Sequence, residues 1–228
     1  MLKVKGLDIR QLALASLGIT IPETLKNSCL DEIKRFPESA WYKCEFRNCD
    51  LLLIYGGSDV IEKDNLKWAS NDNKAIRQLI GQTIEPYFHC LPRLIVLRTP
   101  PDQTLNWHVD CSSEELDSFQ PKMRILLQGK TDDLFFKSRL GKPLPVQTRG
   151  DVYYMSGAYI HALKNTSGHD RYVLCLGSPW GEADIKSHFL NLIEQQAEEN
   201  LLWNSDLQAT NRTLFVRSPR EHKLTPYG

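Results

Sequence analysis

The stretch Leu105-Asn106-Trp107-His108-Val109-Asp110 decides how this chain reads. In an extended strand, alternate side chains share a face, so His108 and Asp110 point one way and Trp107 and Val109 the other. A neutral imidazole beside a carboxylate supplies two of the three ligands in the facial site that holds non-haem Fe(II). A His-x-Asp pair also occurs by chance in ordinary strands, so the third ligand carries the decision. The candidate is His161, within Tyr159-Ile160-His161-Ala162-Leu163, a second expected strand about fifty residues further on. Trp107 is expected to belong to the core.

Around these two segments, short runs rich in β-branched and aromatic residues alternate with turn clusters. Strands are expected at Arg93–Arg98, Thr104–Asp110, Lys122–Gln128, Leu134–Lys137, Val146–Thr148, Asp151–Met155, Tyr159–Lys164 and Arg171–Gly177. Eight short strands at this spacing imply a sandwich, barrel or jelly roll. Pro100-Pro101, Gly129, Gly141-Lys142-Pro143, Arg149-Gly150 and Thr166-Ser167-Gly168 punctuate them.

The flanks read differently. Asp8 and Gln11 stand at capping-box spacing, with Ile9, Leu12, Leu14 and Leu17 around and after them. Pro22 suits a first helical position, Leu25, Cys29, Ile33 and Phe36 recur at helical spacing, and Pro37 ends the run. Two strands, Trp41–Phe46 and Asp50–Tyr55, and a helix from Asn73 to Ile84 are expected next. After Pro179, Ile185, Phe189, Ile193 and Ala197 mark one helical face, and residues 204–228 form a polar tail. The expected organisation is a single domain over 1–228: a helix and strand part over 1–86, a β core with the metal site over 87–178, and a C-terminal helix and tail over 179–228.

Arg171 opens its expected strand ten residues after His161, across the turn Asn165-Thr166-Ser167-Gly168, and is expected to return beside His161. An arginine inside a barrel mouth is costly to bury without an anion, and its planar fork matches a carboxylate. Arg124 shares strand parity with Leu126 and Gln128, and on an inner face it too would need an anion. The acidic run between Cys111 and Pro121 reads as a loop following the metal strand.

Taken together, His108-x-Asp110, His161 and Arg171 resemble the signature of Fe(II)/2-oxoglutarate-dependent dioxygenases. The nearer likeness is to the aspartyl/asparaginyl β-hydroxylase-like branch, which also holds bacterial proline hydroxylases. There, a strand like Lys122-Met123-Arg124-Ile125-Leu126-Leu127 follows the His-x-Asp pair. A Gly150-Asp151 strand comes next, and a block like His161 to Arg171 completes the pattern. The resemblance covers about residues 94–178. It implies a mainly β fold, a double-stranded β-helix (a cupin-like jelly roll), which the N-terminal and C-terminal α-helices read from spacing would flank. It further implies that His108, Asp110 and His161 bind Fe(II), that Arg171 anchors the 5-carboxylate of the cosubstrate 2-oxoglutarate, and that Arg124 binds a second carboxylate. O2 is then consumed, succinate and CO2 leave, and an aliphatic C–H of an amino acid, free or within a peptide, is hydroxylated. Two rivals stay open: a cupin-type module that binds metal or a small molecule without turnover, and a metal-dependent isomerase or hydrolase. The latter sites usually add a further His or Glu, and no His-x-His occurs.

Composition agrees with an ordinary globular protein. Of 228 residues, 41% are hydrophobic and 25% charged, with 28 basic against 28 acidic side chains. The absence of a basic excess disfavours a nucleic-acid partner, and a small-molecule or peptide substrate is what the resemblance implies. Six scattered cysteines without a C-x-x-C pair read as reduced thiols. No apolar run long enough to span a bilayer occurs, so a cytoplasmic protein without a membrane partner is expected. Oligomeric state is left open.

Overall fold

The strands at Leu94–Thr99, Pro121–Gln128, Val152–Ser156 and Arg171–Leu176 are buried on both faces for most of their length, and their alternation sorts side chains between two cores. A computed structural model describes residues 2–45, 47–56, 66–111, 121–177 and 180–209. In chain order the elements are β1 (Lys3–Val4), β2 (Leu7–Asp8), β3 (Leu12–Ile19), α1 (Glu23–Lys34), β4 (Tyr42–Cys44), β5 (Cys49–Gly56), β6 (Lys67–Trp68) and α2 (Lys74–Thr83). Next come β7 (Leu94–Thr99), β8 (Thr104–His108), β9 (Pro121–Gln128), β10 (Leu134–Lys137), β11 (Pro143–Val146), β12 (Val152–Ser156), β13 (His161–Lys164) and β14 (Arg171–Leu176). The last are α3 (Ser187–Glu194) and β15 (Leu201–Trp203).

The larger antiparallel sheet runs β15-β3-β12-β9-β14-β7-β5-β4, with β6 added to β5; the smaller runs β11-β10-β13-β8. On the larger sheet, Leu94, Val96, Met123, Ile125, Val152, Tyr154, Tyr172 and Leu174 join the core shared with the helices. That core holds Cys29 and Ile33 of α1, Ile76 and Leu79 of α2, and Phe189 and Ile193 of α3. The opposite face turns Leu97, Tyr153, Met155 and Cys175 toward Leu105, Leu134, Phe136 and Leu163 of the smaller sheet. A polar site can therefore sit between the sheets while the helices supply most of the apolar burial on the other side.

Two charged side chains tie the helices in place. Glu32 of α1 accepts hydrogen bonds from the backbone N–H of Ala75 (2.7 Å) and Ile76 (3.0 Å), capping the first turn of α2 where donors have no helical partner. Asp151 accepts from the Ile21 N–H (2.8 Å) and from Lys26 Nζ (2.7 Å), locking the start of β12 to the start of α1. Gly150 makes that approach possible: its φ is +76° and a Cβ would lie 2.6 Å from the Ile19 oxygen.

The structure corrects four sequence expectations. Ile9–Gln11 is a single 3-10 turn capped by Asp8, and Leu12–Ile19 is a strand. A short apolar run cannot be assigned by periodicity alone, and pairing with β12 and β15 decides it. The expected strand at Val146–Thr148 lies instead at Pro143–Val146, an edge position where Pro143 and Pro145 need not donate to a second neighbour. Arg171 does not return beside His161. β13 already pairs with β8 and β10, so the chain crosses to the larger sheet and β14 inserts between β7 and β9. Asn165 braces this crossing by donating to the carbonyls of Thr99, Pro100 and His169. Trp107 is 40% exposed, because a register irregularity between β8 and β13 turns both Asn106 and Trp107 outward. The expected acidic loop and most of the expected tail lie outside the described residues, as do Phe46 and Gly57. No helix among the described residues is long and apolar enough to cross a membrane.

Candidate metal centre and its pocket

β8 and β13 pair so that His108 stands opposite His161, with ring centroids 4.3 Å apart. Asp110 follows β8 immediately, and its N–H donates to the Gly157 carbonyl at 2.8 Å. The structure thus brings together the three residues picked out by spacing. One ligand atom from each lies within 4.8 Å of the others. His108 Nε2 is 3.4 Å from Asp110 Oδ1, and His161 Nε2 is 3.6 Å from Asp110 Oδ2. Each ring Nδ1 meets a carbonyl two residues back, Asn106 for His108 (2.6 Å) and Tyr159 for His161 (2.9 Å). A carbonyl only accepts, so each Nδ1 carries the proton and each Nε2 presents its lone pair to the shared space. That donor set, two neutral imidazoles and one carboxylate, fits a divalent iron.

Electrostatics support a neutral His161 and an ionised Asp110. Burial, and then the neighbouring His108, bring the His161 pKa down to about 3 against the pull of Asp110. Burial works to raise the Asp110 pKa. Arg47, His108, His161 and Arg124 together outweigh it and hold the carboxyl well below its usual range. Arg47 reaches Asp110 Oδ1 at 3.1 Å, and Arg124 Nη2 donates to Asp110 Oδ2.

The triad opens onto a cavity of about 250 Å³ lined from both sheets. Arg171, only 2% exposed, stands in its wall, and its Nε lies 3.9 Å from Asp133 Oδ2. The other oxygen of Asp133 accepts from Thr166 N–H (3.1 Å) and Oγ1 (2.7 Å), which orients the carboxylate. Gly129 leaves room for the arginine stem: a Cβ there would lie 2.6 Å from Arg171 Cγ. Arg124 does face inward as its parity implied, and it also donates to the Met123 carbonyl at 3.2 Å.

Sequence reasoning missed Arg47, Asp133, Lys122 and Arg93. Lys122 shares parity with Arg124, and Arg93 with Ile95 and Leu97, so alternation could have found both. Arg47 and Asp133 lie in turns, where charge ordinarily means solvent, and no sequence signal marks them. Of the two tyrosines in β12, Tyr153 lines the cavity and Tyr154 packs toward the helices.

Solved structures of similar fold include two prolyl hydroxylases. A prolyl-4-hydroxylase from Pseudomonas putida is similar over 76% of this chain and 96% of its own, at 13% identity and a TM-score of 0.51. A prolyl hydroxylase from Trichoplax adhaerens, solved with a hypoxia inducible factor peptide fragment, is similar over 82% of this chain and 88% of its own, at 11% identity and a TM-score of 0.50. At these identities the likeness is one of fold. No protein-family model and no curated protein matches the chain.

Proposed function

We propose that this protein is a non-haem Fe(II)/2-oxoglutarate-dependent dioxygenase that hydroxylates an aliphatic C–H of an amino acid, free or within a peptide. The observation that carries the reading is the convergence of His108 Nε2, His161 Nε2 and the Asp110 carboxylate, with both Nδ1 atoms pinned, in a cavity that also holds Arg171. The strand orders β7-β14-β9-β12 and β8-β13-β10-β11 support reading the eight central strands as a double-stranded β-helix, and the whole chain as one domain built around it. The prolyl hydroxylase neighbours and the peptide bound to one of them support an amino-acid or peptide substrate.

His108, Asp110 and His161 would hold the iron. Iron, 2-oxoglutarate and O2 together supply the oxidative chemistry when bound, with release of succinate and CO2. The chain's own residues do the rest. The carbonyls of Asn106 and Tyr159 fix the imidazole tautomers. Arg171, backed by Asp133, offers a planar fork for the distal carboxylate of 2-oxoglutarate. Arg47 and Arg124 keep Asp110 ionised. Because Asp110 already engages Arg124, we assign that arginine to the ligand carboxylate and not to the second carboxylate that its parity alone implied. Leu97, Leu105, Leu163 and Val173 exclude water around the reacting centre.

The test is succinate release from 2-oxoglutarate on addition of Fe(II), with metal content measured in wild type and His161→Ala. The expected result is one equivalent of iron and succinate formation in wild type, both lost in the variant. Iron binding without succinate would identify a binding module, and unchanged iron in His161→Ala would remove the triad.

A further inference from the structure

The floor of the pocket has two cationic ends. Along β14 the inward positions are Arg171, Val173 and Cys175, continuing to Gly177. Arg171 and Gly177 are six residues apart, about 20 Å in an extended strand. Arg124 pairs with Cys175 and reaches Asp110, so the triad lies between these ends. At the far end, Leu176 pairs with Leu94 on one side and Met123 on the other, which sets Gly177 between Arg93 and Lys122.

Glycines make room for Lys122. A Cβ on Gly177 would lie 2.4 Å from Lys122 Cδ, and one on Gly157 3.0 Å from Lys122 Cε. Lys122 is 8% exposed, and Arg93 Nε is buried without a hydrogen-bond partner among the described residues. Burial alone lowers the Arg93 pKa, with no described acid opposing it.

The charge around the pocket is lopsided. Arg47, Arg93, Lys122, Arg124 and Arg171 line it, against Asp110 as the one acid among the described lining residues. Asp110 engages Arg47 and Arg124, and Asp133 faces Arg171. Fe(II) and the 2-oxoglutarate dianion cancel each other, so their arrival leaves the Arg93 end still cationic. Arg93 is half-buried with its Nε cut off from water, and a buried donor without an acceptor is costly.

We propose that Arg93 and Lys122 form an oxyanion subsite for the substrate, taking a carboxylate or phosphate group at the end of the pocket opposite Arg171. This rests on reading the pocket as that of the proposed oxygenase. The substrate would then lie across the triad, anchored beyond Gly177, with its reacting carbon held toward His108 and His161.

Thermal unfolding of the full chain, titrated separately with inorganic phosphate, sodium acetate and, with Fe(II) under argon, 2-oxoglutarate, tests this. Loss of one charge-assisted hydrogen bond corresponds to about ten- to a hundred-fold in affinity. Phosphate or acetate should stabilise wild type, and the half-effect concentration should rise about tenfold or more in Arg93→Gln and Lys122→Gln. Arg171→Gln, at the opposite end, should shift it less than either of these. The 2-oxoglutarate titration should show the reverse pattern. Whichever simple anion binds more tightly identifies the group. Anion titrations that are flat in wild type, or unchanged from wild type in both Arg93→Gln and Lys122→Gln, overturn the subsite. A 2-oxoglutarate titration indifferent to Arg171→Gln overturns the cosubstrate assignment instead. Should Arg93→Gln fail to fold, Arg93→Lys and Lys122→Gln carry the same comparison.

Discussion

Removing Arg171 and Asp133 singly and then together probes the frame that holds the deep end of the pocket. Arg171 Nε and Asp133 Oδ2 lie 3.9 Å apart, their side chains are 3% and 1% exposed, and neither atom has a hydrogen-bond partner among the described residues. The separation is too long for a hydrogen bond, so the interaction is between charges. At that distance two unit charges attract by about 4 kcal/mol when the effective permittivity is ~20. Stranding one member of a buried pair costs roughly 3–5 kcal/mol, in agreement. Arg171→Gln and Asp133→Asn should each lower the unfolding free energy in urea by about 3 kcal/mol. Asparagine keeps an acceptor for Thr166, so its effect reports the lost charge. The double variant strands neither charge, and its loss should fall short of the sum by about 2–4 kcal/mol. Additivity within about 0.5 kcal/mol would show that the two charges are not coupled and that Asp133 does not hold Arg171 in place.

Two further outcomes follow from the same pocket. The folded pKa of His161 is about 3, below the ~6.5 of the unfolded chain, so the unfolded state takes up the proton first as pH falls. Its contribution is complete above about pH 6.5 and declines by about 1.4 kcal/mol per unit toward pH ~3. Urea unfolding of the metal-free protein should show this slope between about pH 6 and pH 4, and His161→Gln should flatten it; an equal slope in both proteins would refute burial as neutral imidazole. Gly129→Ala places a Cβ at φ +122° and 2.6 Å from Arg171 Cγ. It should weaken 2-oxoglutarate binding about tenfold or more while iron binding stays intact, and an unchanged 2-oxoglutarate titration in the folded variant would show that Arg171 does not need this opening.

Features that depend on short-range geometry are legible in the residues alone. The period of two along a strand places His108 apart from Trp107 and Arg124 apart from Met123 and Ile125. Turn residues mark where the central strands stop, and helical spacing locates α1 and α2 to within a few residues. The order His-x-Asp, His, Arg nominates the triad and the arginine. Pairing between distant segments is settled only in the folded sheets. β3 is an apolar run that local propensity leaves undecided, and it becomes a strand because β12 and β15 offer it hydrogen bonds. Trp107 leaves the core because β8 bulges against β13, a mismatch that neither strand reveals alone. Arg171 crosses to the other sheet because both edges of β13 are taken. Asp133 and Arg47 read as solvated turn charges until folding packs them against Arg171 and Asp110. A charge declares a role only when burial takes away its water and leaves it one partner, and burial is a property of the assembled sheets.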